Sequence, residues 1–372
     1  MRLRISPRLP AGAAVALALL PAAAPLAQSP PDAAVARARP PLTAAERRQA
    51  LDSAAVLLAA RYPDEAAGRR LADSIGAWAR RDAFAATADP VRFADSLGRA
   101  LRTVVADKHL YLQYAPGVEF VGAGGGARIV DVPAGGAGPR GGAAPAPVMV
   151  RRSGRVDPRD SATVARTNFG FAKVERLDGN VGYLKLDQLV PPDWARPTAD
   201  AALGFLRHAD AVILDVRDVP GGAPQAVQHL LSYFRAGPPT LLFASYARAD
   251  RVADSLWSQP ALAERGLGGK PLFILTNART ASAGEMIAYT AQRLGIGTVV
   301  GETTSGAANG GRPHTLGAGL QLFVPERRVL TGPGWEGTGV VPDVPTSAAD
   351  ALARAHVLAR ARVTARAGAT GG

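Results

Sequence analysis

The spacing of hydrophobic residues changes along the chain, and between residues 44 and 106 it is helical. Apolar residues recur there every three or four positions, which is typical of amphipathic helices in a bundle. Thr43 and Glu46 form a capping box before the first helix, and Asp89 followed by Pro90 marks the start of the third. The apolar positions of the three predicted helices are Leu51, Ala55, Leu58 and Tyr62, then Leu71, Ile75 and Trp78, then Phe93, Leu97 and Leu101.

From about residue 180 the pattern becomes one of short apolar strands that alternate with helices. A last helix is expected after Ser347 and Asp350, which are its capping residues. This alternation predicts an α/β domain. The predicted strands are 180–189, 211–216, 239–245, 271–277, 297–301 and 320–324, and the predicted helices are 224–234 and 283–294.

The first residues indicate export. Arg2, Arg4 and Arg8 are followed by an apolar stretch and then small residues, which is typical of a cleaved secretory signal peptide. No later stretch is apolar enough for a transmembrane helix, so we expect a periplasmic or secreted protein. The predicted organisation is a signal peptide at 1–27, an N-terminal helical bundle domain at 44–115, a Gly/Pro-rich linker or flap at 116–165, an α/β domain at 166–360 and a disordered tail at 361–372.

Composition narrows the chemistry that the chain can perform. It has no cysteine, which excludes disulfides, thiolate catalysis and cysteine-ligated zinc. The net charge is +12, but the basic residues are scattered and are not interleaved with aromatic ones. We therefore do not expect nucleic acid as a partner.

A serine lies where a predicted strand meets a predicted helix. Ser282 follows the apolar run 271–277 and precedes the helix at 283–294. The N–H groups at a helix start favour a developing negative charge, so the amide of Ala283 could be one oxyanion donor. Ser282 and Glu285 also have the spacing of a capping box. On this segment alone, Ser282 is either a helix cap or a nucleophile.

Candidates for a base and for an oxyanion loop lie elsewhere in the chain. His109 follows the third helix, and His314 lies in a predicted glycine-rich loop after the helix of Ser282. Gly221 and Gly222 follow a buried strand, where they form either a tight turn or a loop whose N–H groups approach a ligand closely. The other three histidines, His208, His229 and His356, lie in predicted helices and are interpreted as structural or solvated.

Four segments together resemble the tail-specific, or C-terminal processing, serine peptidase family. They are NVGYLKLDQL, AVILDVRDVPGG, ILTNARTASAGEMIAYTAQRLGIGTVVGETTSG and EGTGVVPDVPTSAADAL. The resemblance extends over residues 44–360. The segments RYPDEAAGRRLADSI and VVADKHLYLQY are similar to the branch that includes interphotoreceptor retinoid-binding protein and the tricorn protease core, and no PDZ insert is recognisable.

This resemblance implies a crotonase-like (ClpP/crotonase) α/β core with an N-terminal helical bundle domain. It implies Ser282 as the nucleophile, with Gly221, Gly222 and Ala283 as the oxyanion hole. Family members that use a Ser/Lys dyad have their lysine 25 residues after the serine, and Ala307 occupies that position here.

In the tricorn-like branch the base is a histidine from the helical domain, and His109 lies at the matching place. The acid of that branch corresponds to Glu336, and Asp107 is an alternative. The serine that precedes the histidine in that branch is replaced by Lys108.

The function that follows is a secreted or periplasmic serine-type endopeptidase that cleaves peptides or protein C-terminal tails. Its partner would be the substrate, and neither a metal nor another cofactor is expected. A non-proteolytic binding module of the same fold, holding a small apolar ligand, is the alternative. A crotonase-type thioester enzyme fits export poorly. Substrate preference and oligomeric state stay open.

Overall fold

The computed structural model describes residues 40–116, 118–121, 126–129 and 164–370. The expected signal peptide and most of the expected linker lie outside the described residues. In the described part of the chain, no helix is long and apolar enough to span a membrane. The helices are α1 (Ala44–Arg61), α2 (Glu65–Arg80), α3 (Pro90–Val104), α4 (Pro192–Phe205), α5 (Pro224–Ser232), α6 (Pro260–Ala263), α7 (Ala283–Arg293) and α8 (Ala351–Thr370).

Thirteen strands lie within the same ranges. They are β1 (Tyr111–Tyr114), β2 (Val118–Val121), β3 (Gly126–Ile129), β4 (Phe171–Leu177), β5 (Val181–Leu186), β6 (Ala211–Asp215), β7 (Leu241–Ala247), β8 (Val252–Trp257), β9 (Leu272–Thr276), β10 (Thr298–Gly301), β11 (Gly310–Gly317), β12 (Leu320–Val329) and β13 (Val344–Pro345). Strands β2 and β3, which fall in the expected linker, pair with each other in antiparallel orientation.

A mostly parallel sheet forms the centre of the α/β region. Its strand order is β13-β10-β9-β6-β5-β4, and only the edge strand β4 runs antiparallel. The apolar runs of β6 and β9 are buried at every residue, because helices α4, α5 and α7 cover one face and α8 covers the other. Since β6 and β9 are parallel neighbours, the loops after them meet at the same edge of the sheet.

The N-terminal helices pack on a second, antiparallel sheet. This sheet has the order β1-β12-β7-β8, and β11 also pairs with β12. The core of the helical region includes Leu316, Leu320, Leu322 and Val324 from β11 and β12. Residues of the expected helical domain therefore share one core with strands that come about 200 residues later in the chain. Pairing of β1 with β12 places the segment that follows α3 beside these strands.

The predicted fold class is confirmed, as are the predicted helix starts. The Thr43 hydroxyl accepts a hydrogen bond from the Glu46 N–H at 3.1 Å, and Asp89 caps α3 through the Arg92 N–H at 2.8 Å. Two expectations differ from the structure. His314 lies on β11 and not in a loop, because β11 pairs with β12 despite its glycines. The expected tail from 361 is helical up to Thr370, since Val363 continues the packing of α8 on the sheet.

Candidate functional site

Ser282 occupies a sharp turn between β9 and α7. Its backbone has φ 52° and ψ −118°, in a region that residues other than glycine seldom adopt. Such strain costs on the order of 1–3 kcal/mol and is concentrated at functional sites. A nucleophile at a strained strand-to-helix turn presents its hydroxyl away from the backbone. The conformation of Ser282 is therefore the first structural sign of a reactive centre.

The glycine loop lies directly against this serine. Gly221 has φ 137°, and a Cβ at this position would lie 3.1 Å from the Cβ and 3.5 Å from the Oγ of Ser282. Gly222 approaches a different residue, because a Cβ there would lie 2.1 Å from the carbonyl oxygen of Leu189. Close approach to the serine is thus a property of Gly221, and Gly222 allows the loop to pack on Leu189.

Hydrogen bonds hold the glycine loop and the serine turn together. The N–H of Ala281 donates to the carbonyl of Val219 at 3.0 Å. The hydroxyl of Thr280 donates to the carbonyl of Val216, also at 3.0 Å. Because Ala281 adjoins Ser282 and Val219 lies two residues before Gly221, the two loops are fixed in register.

Glu285 is a buried carboxylate on the first turn of α7. It is fully inaccessible to solvent and accepts a hydrogen bond from the Ser282 N–H at 2.8 Å. It also binds the segment 304–307, which returns to the start of α7. The sequence indicated only the contact within the helix start. The contacts of Glu285 with residues 304–307 could not be predicted from the spacing of neighbouring residues in the sequence.

His109 lies between α3 and β1. Its N–H donates to Oδ1 of Asp107 at 2.8 Å, and its ring stacks on Phe323 with 5.7 Å between ring centres. The Nδ1 atom is buried and has no hydrogen-bond partner among the described residues. Burial lowers the pKa of His109, while the negative charges of Asp107 and Glu285 oppose this shift. Burial therefore favours the neutral imidazole, which is the form that accepts a proton.

Asp107 supports the segment that carries His109. Its side chain is 1% exposed, and its Oδ2 accepts a hydrogen bond from the Tyr62 hydroxyl at 2.9 Å and one from the side-chain amide of Asn309 at 3.2 Å. Burial and the neighbouring carboxylate together raise the pKa of Tyr62. Asp107 thus connects the end of α1, the His109 segment and the loop that contains Asn309.

Glu336 approaches the same place from another loop. Its Oε2 accepts hydrogen bonds from the N–H groups of Ala308 at 2.7 Å and Asn309 at 2.8 Å. Its Oε1 is buried without a partner among the described residues. Burial, followed by the charge of Asp107, raises the pKa of Glu336 to about 7 in spite of the opposing effect of the two amides.

Asp107, His109 and Glu336 each offer one atom within 4.8 Å of the other two. Such spacing is compatible with a metal ion, but Asp107 already accepts three hydrogen bonds from protein donors. A base with two neighbouring acids requires the same spacing. Within the described ranges, no hydrogen bond joins His109 to Ser282 or to Glu336. The structure therefore places Glu336 and His109 close together, without a hydrogen bond between them.

The second candidate base has a different environment. His314 Nε2 lies 2.7 Å from Oε1 of Glu326 on the neighbouring strand β12. Arg61 and Arg312 bind the same carboxylate, at 3.2 and 3.1 Å. His314 is thus part of an ion-pair cluster. Such contacts indicate that its imidazole has a structural role.

Part of the chain matches a known protein family. The family model described as Peptidase family S41 matches residues 180–346, which contain the glycine loop, Ser282 and Glu336. This region belongs to peptidase family S41. The S41 region begins at the end of the β4–β5 turn and includes the parallel strands β5, β6, β9, β10 and β13. The family resemblance expected from the sequence motifs is thereby confirmed.

Solved structures resemble the chain at low sequence identity. Tricorn protease has a TM-score of 0.50 and 14% identity over 86% of this chain and 37% of its own. The photosystem II D1 C-terminal processing protease has a TM-score of 0.46 and 16% identity over 81% and 93%. A candidate peptidase from Parabacteroides merdae ATCC 43184 has a TM-score of 0.40 and 21% identity over 48% and 57%. The chain thus spans little more than half of that peptidase, and its likeness to tricorn protease concerns the fold.

The S41 region has no lysine at the position expected for a Ser/Lys dyad. Ala307 occupies that position, is 4% exposed and donates its N–H to Glu285 at 2.9 Å. The neighbouring Lys108 binds the carbonyl and hydroxyl of Ser305 through its Nζ. Three residues were not identified from the sequence as parts of the site, namely Thr304, Asn309 and Tyr62. Each is brought in by a hydrogen bond to a distant carboxylate.

Proposed function

We propose that this chain is a serine endopeptidase that hydrolyses peptides or protein C-terminal tails, with Ser282 as the nucleophile. The observation that carries the proposal is the strained backbone of Ser282 at the start of α7, with Gly221 against its side chain. Both a helix start and a glycine loop supply N–H groups to a developing oxyanion. Membership of residues 180–346 in a peptidase family supports the same chemistry.

The proposed reaction is acyl transfer through a covalent intermediate. His109 accepts the hydroxyl proton while Oγ of Ser282 bonds to the scissile carbonyl carbon. N–H groups of Ala283 and of the Gly221–Gly222 loop stabilise the oxyanion. The carbon–nitrogen bond then breaks, and the imidazolium gives its proton to the leaving amine. Water attacks the ester with His109 again as base, which releases the acid product and restores Ser282.

We assign different parts of His109 to the two neighbouring acids. Asp107 accepts a hydrogen bond from the backbone N–H of His109, so it positions the main chain. Glu336 retains one buried oxygen with no partner among the described residues, as does Nδ1 of the imidazole. We therefore infer that Glu336 is the acid that orients the ring when substrate is bound.

We further propose that the enzyme acts in the periplasm or outside the cell. Support for this location comes from the signal-like first 27 residues, which are rich in arginine and then in apolar and small residues. N-terminal sequencing of protein recovered from a periplasmic or culture-supernatant fraction tests it. Recovery of the uncleaved chain from the cytosol alone would contradict this location.

The alternative, a binding module for a small apolar ligand, requires an apolar cavity of ligand size. In the described part of the chain, an apolar cavity of about 20 Å³ lies between β5, α4 and α5 and is lined by Leu186, Leu189, Ala199 and Leu230, among others. Ligand sites usually measure about 300–1,000 Å³, so this cavity is too small to hold such a ligand. Neither the strain at Ser282 nor the environment of His109 is needed for such binding, and both favour hydrolysis.

Comparison of the wild-type chain with Ser282→Ala tests the proposed function. Turnover of a mixture of unstructured peptides is measured by mass spectrometry, and the melting temperature of both proteins is measured in parallel. We expect the variant to lose hydrolysis and to retain its fold, since loss of a helix-cap hydroxyl costs only about 1 kcal/mol. Equal turnover by both proteins would exclude Ser282 as the nucleophile.

A further inference from the structure

We propose that Glu285 is a positioning residue that fixes the nucleophile turn to residues 304–309, and that this loop in turn places the base and the acid. The inference rests on the proposed peptidase function. Residues 304–309 are called the clamp loop below. Glu285 itself faces away from bulk solvent and is not assigned contact with substrate.

Each oxygen of Glu285 accepts two hydrogen bonds. Oε2 binds the N–H of Ser282 at 2.8 Å and that of Ala307 at 2.9 Å. Oε1 binds the hydroxyl of Thr304 at 2.6 Å and the N–H of Gly306 at 2.5 Å. One carboxylate therefore joins the backbone of the nucleophile to three residues of the clamp loop. Only a side chain with two acceptor atoms can satisfy all four donors.

The clamp loop also contacts three charged residues on the base side of the site. Its N–H groups at Ala308 and Asn309 bind Glu336, and the Asn309 side chain binds Asp107. Lys108 also binds the loop, through Ser305. A displacement of this loop would therefore move the acid and the base relative to Ser282. Misplacement by about 1 Å at such a centre can lower the rate by roughly 10²-fold.

Thr304 continues the connection toward Glu336. Its hydroxyl donates to Glu285 and accepts a hydrogen bond from the N–H of Val340 at 2.7 Å. Val340 lies four residues after Glu336 in the same loop. The nucleophile turn, the clamp loop and the loop of the acid are thus linked by a continuous set of hydrogen bonds.

Two substitutions interrupt this set at different points. Glu285→Gln keeps the size of the side chain but replaces one acceptor by an NH₂ group, which faces two N–H or O–H donors. Thr304→Val keeps the shape but removes the hydroxyl, and Thr304→Ser retains it. Thr290 supplies a matched control on α7, because its buried hydroxyl has no hydrogen-bond partner among the described residues. Thr290→Val therefore removes a buried hydroxyl without touching the clamp loop.

We expect Glu285→Gln to lower kcat by about 10²-fold. We expect Thr304→Val to lower it by about tenfold, with KM changed less than kcat in both variants. Thr304→Ser should restore most of the rate, and Thr290→Val should hydrolyse substrate at the wild-type rate. Circular dichroism and melting curves establish which variants fold, and Thr304→Val keeps the test decisive if Glu285→Gln does not.

A pH profile separates positioning from a general loss of stability. The charged groups that face His109 are Asp107 and Glu285, with Glu336 nearby. Loss of the Glu285 charge removes one influence that raises the pKa of His109, so the acidic limb of kcat/KM should move to lower pH in Glu285→Gln. A structural role alone would reduce the amount of active protein and leave the limb in place.

The inference is overturned if Thr304→Val is as active as Thr290→Val, or if folded Glu285→Gln has the kcat and acidic limb of the wild type. Failure of the proposed function is distinguishable from either result. In that case the wild-type chain itself would show no hydrolysis that depends on Ser282. The variants could then show no decrease in rate relative to the wild type.

Discussion

Nδ1 of His109 and Oε1 of Glu336 are both buried without a hydrogen-bond partner among the described residues, although the two side chains offer atoms within 4.8 Å of each other. Buried polar atoms without partners are uncommon, because each forfeits its hydration. Hydrogen bonds of catalytic groups are often long in the absence of substrate and shorten in the complex. The pair has the arrangement expected of a base and its orienting acid before substrate binds.

The first prediction compares two histidines. His109→Ala should lower kcat/KM by roughly 10²- to 10⁴-fold, because the serine hydroxyl then has no base to accept its proton. His314→Ala should affect the rate far less, since His314 is bound to Glu326 on β12. Steady-state kinetics of the two purified variants provide the comparison. Greater loss in His314→Ala would place the base on β11 and remove His109 from the mechanism.

The structure also refines the pH dependence that the proposed function predicts for the wild-type chain. A base must be neutral, and burial lowers the pKa of His109 from its ordinary value of 6.5. Activity should therefore persist to lower pH than for a solvent-exposed histidine, with the acidic limb of kcat/KM below about 6.5.

A second prediction concerns stability and Glu336. The folded-state pKa of Glu336 is raised from 4.5 to about 7, so the folded protein holds this proton more tightly than the unfolded chain does. The associated stability is fully present below pH 4.5 and is lost as the pH rises through 7. We expect a loss on the order of 2 kcal/mol between these limits.

Denaturant unfolding at pH 4.5 and pH 8 measures this effect. The free energy of unfolding should fall more in the wild type than in Glu336→Gln, whose amide does not titrate. Because the other ionisable groups are common to both proteins, the difference between the two changes isolates Glu336. Equal changes in both proteins would mean that Glu336 ionises as an ordinary carboxyl group.

A third prediction uses two glycines with positive φ. Gly221 has φ 137° and lies against Ser282, while Gly237 has φ 97° and a Cβ there would approach only Arg235, at 3.9 Å. Alanine strains the backbone at either site by on the order of 1–3 kcal/mol. Only Gly221→Ala should reduce hydrolysis strongly, since its methyl group would press on the nucleophile.

Melting curves and initial rates of both variants complete this test. Comparable destabilisation with a selective loss of activity in Gly221→Ala supports a role of this loop at the reacting carbonyl. Full activity in a folded Gly221→Ala would contradict the assignment of the glycine loop to the oxyanion hole.

Local signals predicted much of the fold. The caps at Thr43 and Asp89 and the apolar runs of β6 and β9 led directly to the observed helices and strands. β11 was missed because Gly310, Gly311 and Pro313 weaken its strand signal, and pairing with β12 overrides this local preference. The end of α8 was missed because its packing partners lie on a distant sheet.

The candidate site was predictable only in part. Motif spacing and family resemblance indicated Ser282, His109, Gly221 and Glu336. The structure places Gly221 against Ser282 and His109 near Glu336. The role of Glu285 was not predictable, since its position in a capping box gives no indication of partners about 20 residues later. Hydrogen bonds that close long loops leave no regular spacing in a sequence.

The most direct test of the central claim is identification of the residue that a fluorophosphonate labels in the folded wild-type chain. An activated serine attacks the phosphorus and expels fluoride, which leaves a stable covalent adduct that peptide mass spectrometry locates. Our account predicts one adduct, on Ser282, which forms much more slowly in His109→Ala and is absent after heat denaturation. An adduct on another serine, or no adduct in a protein that hydrolyses peptides, would contradict it.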